Sequence, residues 1–184
     1  FGDSFLFRPY QIDAVNEILN AYFENPNGYF LLDCPTGGGK SIIAIVFAGV
    51  LANLGKTGYI LASDLSLHEQ YANDFKKYNL YNWGIIKGVD NYECHANHQK
   101  FSIGECKIKG TNYSAAEKLP CFKKCGYLSA RKKAIISPVS LLTYPYALIQ
   151  RNYVESQMST RNAPFGKRDF VVCDESHKLL DIVQ

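Results

Sequence analysis

Eight consecutive residues, Cys34-Pro-Thr-Gly-Gly-Gly-Lys-Ser41, carry the side chains and glycines that phosphate binding needs. An apolar run, Tyr29-Phe-Leu-Leu-Asp33, precedes them and a second, Ile42 to Leu51, follows. That order predicts a strand, a glycine loop and a helix. A helix N-terminus offers N–H groups and a partial positive charge, both suited to phosphate oxygens. Thr36, Gly37, Gly38 and Gly39 form the loop, and the glycines let the backbone wrap closely around an anion. Lys40 is placed to reach the β- and γ-phosphates of a nucleoside triphosphate, and Ser41 to ligate Mg²⁺. The loop motif normally begins with Gly, and Cys34 stands there instead.

A second stretch, Asp169-Phe-Val-Val-Cys-Asp-Glu-Ser-His177, reads as a short strand ending in two carboxylates. In open α/β sheets, ligands bind at the carboxyl ends of strands. Asp174 is placed to hold Mg²⁺ through water, and Glu175 to polarise an attacking water. Lys40, Asp174 and Glu175 are therefore the candidate catalytic residues.

These residues must be carried by an α/β scaffold. The chain has 184 residues, about one domain, and 47% of them are hydrophobic, enough for a sizeable core. An amphipathic helix is expected from Phe7 to Ile18, and helices from Ile42 and from Leu65 to Tyr78. Strands are expected at Tyr29–Asp33, Tyr59–Ala62, Gly84–Lys87, Ala134–Ser137 and before Asp174. Pro138 to Gln150 reads as helical, and 152–167 as an irregular loop. Alternating strands and helices imply a doubly wound parallel sheet.

Between Gly88 and Arg131 periodicity fades, and Cys, Lys, Asn and Gly dominate. The net charge is +3, yet residues 90–133 hold nine Lys/Arg against four Asp/Glu. That excess suits a polyanionic partner, or simply a solvated surface. No apolar run reaches membrane-spanning length. With no secretory signal, the six cysteines read as reduced thiols, core residues or metal ligands, in a cytoplasmic, nucleoid or nuclear protein that is not secreted. The start at Phe1 suggests a piece of a longer chain.

Taken together, Arg8-Pro-Tyr-Gln11, the loop to Ser41, Ser63-Asp-Leu-Ser-Leu-His-Glu-Gln70 and Asp174-Glu-Ser-His177 resemble the motif series of superfamily 2 helicases. The resemblance covers nearly the whole chain. It implies an ATP-dependent enzyme and, for residues 1–184, a P-loop NTPase domain of RecA-like fold, the first of two. The Asp-Glu-Ser-His segment would be a variant of the Asp-Glu-Ala-His box. Helicases of this group often replace the first loop glycine, as Cys34 does. The resemblance places Gln11 at the adenine edge, where an amide can pair with two base atoms. It places Ser63, Ser66 and Gln70 on the DNA backbone, although Asp64 stands where that motif usually has Thr. It gives His177 a role in coupling the nucleotide and DNA sites.

One branch, the XPD/DinG-type helicases, inserts a four-cysteine [4Fe–4S] module between these motifs. The stretch Ile85 to Cys94, ending Lys-Gly-Val-Asp-Asn-Tyr-Glu-Cys, is similar to the entry of that module. Cys106, Cys121 and Cys125 follow, with Gly126-Tyr127 and a basic stretch after them. The resemblance implies an inserted module at residues 88–131 and 5′→3′ movement on single-stranded DNA. Four thiolates suit a soft metal centre. Such a centre would staple an insert lacking its own apolar core. Zinc is the competing metal, with His95 and His98 near enough in sequence to supply nitrogen; the spacing matches no standard zinc ribbon. Tyr92, Tyr113, Phe122 and Tyr127 are candidates for base stacking or for packing.

A second RecA-like domain, in the same gene or a separate chain, is the expected partner, since it supplies arginine fingers. Two other functions fit the same motifs. One is a double-strand DNA translocase with a zinc insert. The other is a stand-alone nucleotide- or DNA-binding accessory protein.

Overall fold

The computed structural model describes residues 7–35, 37–108, 118–157, 165, 167–179 and 181. Four strands, β1 (Gly58–Ala62), β2 (Gly84–Ile85), β3 (Val139–Thr143) and β4 (Phe170–Cys173), form one sheet in the order β2-β3-β1-β4. All three pairings are parallel, with Gly58 opposite both Val139 and Phe170. The described helices are α1 (Pro9–Glu24), α2 (Lys40–Asn53), α3 (Leu65–Lys77), the short α4 (Glu105–Ile108), α5 (Gly126–Ile136) and α6 (Tyr144–Gln157).

The strands alternate between two cores. Ile60, Ala62, Val139 and Leu141 face Tyr22 of α1, Phe47 and Leu51 of α2 and Phe75 of α3. Tyr59, Leu61 and Leu142 face the opposite way, toward Ala134 of α5 and Tyr146 of α6. Helices cover both faces, so the sheet is doubly wound, as expected. All five residues of β3 are buried, which explains why Val139-Ser-Leu-Leu-Thr143 lacks polar–apolar alternation.

Four expectations need correction. Tyr29–Asp33 is not a strand, and Tyr29 is 103% and Leu31 88% exposed. A strand needs a neighbour to take its N–H and C=O groups, and among the described residues none pairs with this segment. Further along, Ala134–Ile136 closes α5 instead of forming a strand, and β3 begins at Val139, where a helix was expected. Arg131-Lys-Lys-Ala134 favours helix. Pro138 then forces Ser137 into an extended conformation, φ −72° and ψ 145°. The helix stops there and the strand follows the proline. Lastly, α6 continues to Gln157, through the start of the expected loop; residues 158–164 and 166 lie outside the described residues.

The cysteine-bearing insert is packed rather than stapled alone. Phe101, Cys125 and Tyr127 join Ile86, Leu142 and Tyr146 in the second core. Tyr92 and Tyr127 meet edge to face at 5.5 Å, and Phe101 lies 4.4 Å from Tyr127. The hydroxyls of Tyr127 and Tyr146 are 3.2 Å apart. These rings serve packing; Tyr113 lies outside the described residues.

Candidate nucleotide site and cysteine cluster

The glycine loop turns into α2 through Gly39, whose φ of 82° is left-handed and suits glycine. Gly38 is held by close approach, since a Cβ there would run into Cys34 Sγ and the Pro35 carbonyl. The loop is braced by α1. Tyr10 Oη donates to the Gly38 carbonyl at 2.8 Å, and Gln11 Nε2 donates to the same oxygen at 3.2 Å. Gln11 Oε1 accepts from the Arg8 N–H at 3.0 Å. Gln11 is thus buried against the loop, with both ends of its amide engaged. Pro9 opens α1, where its missing N–H costs nothing. Thr36 lies outside the described residues.

Across the loop stands the end of β4. Lys40 Nζ is 3.1 Å from Glu175 Oε1. The hydrogen bond to Glu175 raises the Lys40 pKa, and the hydrogen bond from Lys40 lowers that of Glu175. Glu175 adopts a left-handed backbone, φ 54°, which turns the chain sharply after the strand. His177 Nδ1 lies 3.4 Å from Glu175 Oε2 and is largely exposed.

Asp174 is fixed at every polar atom. Its N–H donates to the Leu61 carbonyl at 3.0 Å, and its carbonyl accepts from Tyr144 Oη at 2.9 Å. Oδ1 accepts the Glu175 N–H at 2.9 Å, and Oδ2 accepts Tyr71 Oη at 2.7 Å. Ser41, at the start of α2, accepts from Gln70 Nε2 at 3.4 Å. A hydroxyl and a carboxylate are oxygen donors of the kind Mg²⁺ takes. Gln70 therefore faces the nucleotide loop in this arrangement. Ser63 donates to Asp64 Oδ2 at 3.0 Å, while Ser66 is exposed on the first turn of α3.

Asp64, out of place for a phosphate contact, has a local role. It caps α3 by accepting the Leu67 N–H at 2.9 Å and pairs with Lys178 at 3.2 Å. Its carboxyl is held below the usual range, first by the Leu67 N–H and then by Lys178 and Ser63. Sequence reasoning missed Tyr10, Tyr71 and Lys178. The available signal was a tyrosine, with its polar tip, at buried position 71 of an amphipathic helix.

Cys94, Cys106, Cys121 and Cys125 all line one small cavity, with Phe101 and Leu128 beside them. Burial pushes the Cys94 thiol up, but N–H groups of Ala96, Glu105 and Asn97 outweigh it and bring it below the ordinary value. Burial and the neighbouring Cys94 and Cys125 raise Cys106. Thiolates are the donor type that a soft metal centre takes. Among the described residues, no group of three or more His, Cys, Asp or Glu side chains is arranged to hold a metal ion. Cys34 and Cys173 lie apart from this cavity and line the cleft beside Lys40.

A parallel sheet with a glycine loop facing two carboxylates is an arrangement shared by P-loop nucleotide-binding domains. The chain belongs to the family described as type III restriction enzyme, res subunit, whose model matches residues 4–182. Among solved structures it is similar in fold to one titled "Truncated XPD", at 20% identity and a TM-score of 0.50. That match covers 96% of this chain and 54% of the other, so the chain spans about half the length of that structure. No curated protein sequence matches. Among the described residues, no helix is long and apolar enough to cross a membrane.

Proposed function

We propose that this domain is the ATP-binding half of an ATP-dependent DNA helicase of the XPD/DinG type, moving 5′→3′ on single-stranded DNA and carrying a metal module. The observation that carries the reading is the meeting of Lys40 with Glu175 across the glycine loop, at 3.1 Å. A phosphate-binding lysine and a water-activating carboxylate on opposite walls of one cleft are the parts of phosphoryl transfer.

Gly37, Gly38 and Gly39 present backbone to the phosphates, and Lys40 pairs with the β- and γ-oxygens. Ser41 and Asp174 would hold Mg²⁺, which neutralises charge on those oxygens when bound. Glu175 orients the attacking water and takes its proton. Ser63, Ser66 and the basic insert form the DNA side, and His177 connects the two sites. Gln11 contributes by holding the loop, and adenine contact would require its amide to exchange the Gly38 carbonyl for the base. A second RecA-like domain supplies arginine fingers, worth about 10³–10⁵ in rate in related hydrolases.

Calorimetry tests the nucleotide reading. Mg·ATP or Mg·ADP should bind, and Lys40→Ala should weaken binding at least tenfold, roughly the loss of one charge-assisted contact. Equal affinity for both proteins would overturn it. The chain alone should hydrolyse ATP very slowly. Adding a second domain should raise DNA-stimulated hydrolysis by orders of magnitude, and Glu175→Gln should abolish the gain.

A further inference from the structure

Two neighbouring residues of α3 touch the two candidate Mg²⁺ ligands. Tyr71 Oη donates to Asp174 Oδ2 at 2.7 Å, and Gln70 Nε2 donates to Ser41 Oγ at 3.4 Å. We propose that Gln70 and Tyr71 are positioning residues for the metal side of the nucleotide site, setting how strongly Mg²⁺ adds to nucleotide binding. The assignment rests on the reading of Ser41 and Asp174 as that metal's ligands.

Tyr71 is built for this. The residue is 0% exposed, yet it carries a hydroxyl that must find a partner inside the protein. A phenylalanine would fill the same core position without that cost. The hydroxyl spends its proton on a carboxylate, the stronger kind of acceptor. Its ring is held edge-on by Phe75 at 6.3 Å, and Phe75 by Trp83 at 4.9 Å. The oxygen is thereby fixed in place by the core. Without it, Oδ2 of Asp174 loses this donor and the carboxylate is steered mainly by the Glu175 N–H on Oδ1. Gln70 does the lesser job from the exposed side of the helix, at a longer distance.

The start of α3 is tied to the same segment. Asp64, its N-cap, pairs with Lys178, four residues beyond Asp174. The helix is therefore fastened to the region after β4 from its N-cap, by Asp64, and from its second turn, by Tyr71.

The test is calorimetry of ADP binding with and without Mg²⁺, supported by Mn²⁺ binding to the ADP complex followed by electron paramagnetic resonance. In Tyr71→Phe, Mg²⁺-free ADP affinity should stay within about twofold of wild type. The strengthening by Mg²⁺ should fall about tenfold, as expected for a hydrogen bond to a charged group. Gln70→Ala, on an exposed position, should lower it about threefold, and Mn²⁺ affinity should fall in the same order. A merely structural tyrosine would lower thermal stability and both ADP affinities together. That parallel loss, or an unchanged Mg²⁺ response in Tyr71→Phe, overturns the assignment alone. Absence of ADP binding to the wild-type protein overturns the nucleotide site and this assignment with it.

Discussion

Lys40 Nζ and Glu175 Oε1 lie 3.1 Å apart although 135 positions separate them in the chain. On the proposed reading, the lysine that would meet phosphate thus shares its charge with the carboxylate that would polarise water. Removing that competitor should favour the phosphate. Glu175→Gln should tighten Mg·ADP binding by up to about fivefold, the most an exposed ion pair of about 0.2–1 kcal/mol allows. Hydrolysis should fall by about a hundredfold or more, the usual scale of a lost general base. Binding calorimetry and a steady-state phosphate assay on the same preparation read the two effects. Weakened binding in Glu175→Gln would show that the pair organises the site instead of competing within it.

Arg168 joins the end of α5 to the start of β4. Its guanidinium donates to the carbonyls of Ser137 at 2.8 Å, Ile135 at 2.8 Å and Ala134 at 3.3 Å, the last turn of α5. It also lies 5.1 Å from the Tyr59 ring centroid. A cation at a helix C-terminus meets both the free carbonyls and the negative end of the dipole. Arg168→Ala should cost about 2–3 kcal/mol, a charged hydrogen-bond set with some packing. In a chain of this size that lowers the melting temperature by about 4–12 °C. Arg168→Lys should recover only part of it, because an ammonium cannot reproduce the planar fork. A shift below one degree for Arg168→Ala would overturn the role.

The two chemical stretches were legible in sequence because each is local. The glycine loop must precede a helix, and the carboxylates must end a strand; α2 and β4 obey. What was not legible depends on partners far along the chain. Tyr29–Asp33 has strand composition but no described ladder, so composition alone misled. Ala134–Ile136 has an apolar run that fits strand or helix equally, and Pro138 decided it by ending α5. Gln70 resembles a DNA contact in sequence, and its place on α3 also brings it within 3.4 Å of Ser41, a neighbour no local pattern shows. The insert reads as coreless in sequence because its apolar residues follow no helix or strand period. Its core is completed by Leu142 and Tyr146, from β3 and α6, which no local pattern could show.

Asp169 gives the fold a pH dependence. Its Oδ2 accepts the Thr57 N–H at 2.7 Å and the Thr57 hydroxyl at 3.1 Å, fastening the start of β4 to the start of β1. The Thr57 N–H, with further help from its hydroxyl and Lys56, holds the carboxyl below its usual value. A depressed carboxyl stabilises the fold above its unfolded pKa, about 3.9. That contribution is lost as pH falls through the lower folded value. The side chain is 38% exposed, so the scale is about 1 kcal/mol and not more. Asp169→Asn should be less stable than wild type by that amount at pH 7 in urea denaturation, and the gap should close below about pH 4. A gap that stays constant or widens in acid would contradict this assignment.

The four thiols of Cys94, Cys106, Cys121 and Cys125 line one cavity, together with the apolar side chains of Phe101 and Leu128. Protein prepared without oxygen should carry one metal centre there. A brown sample with broad visible absorption and about four irons per chain identifies a [4Fe–4S] cluster; a colourless one with about one zinc identifies the alternative. Replacing any one of the four with Ser should lower the metal content severalfold, while Cys34→Ser and Cys173→Ser should leave it unchanged. Because Cys125 and Phe101 belong to the same core as Ala134 and Leu142, loss of the centre should also be felt outside the insert. Amide exchange in α5 and β3 should quicken along with that of residues 94–108, whereas α2 and its glycine loop should be affected least. ADP affinity should accordingly change less than about threefold on metal loss, since Lys40 and Ser41 sit on the opposite core. Neither iron nor zinc in carefully handled wild-type protein would rule out the metal module, and the cavity would then be an apolar pocket lined by four reduced thiols.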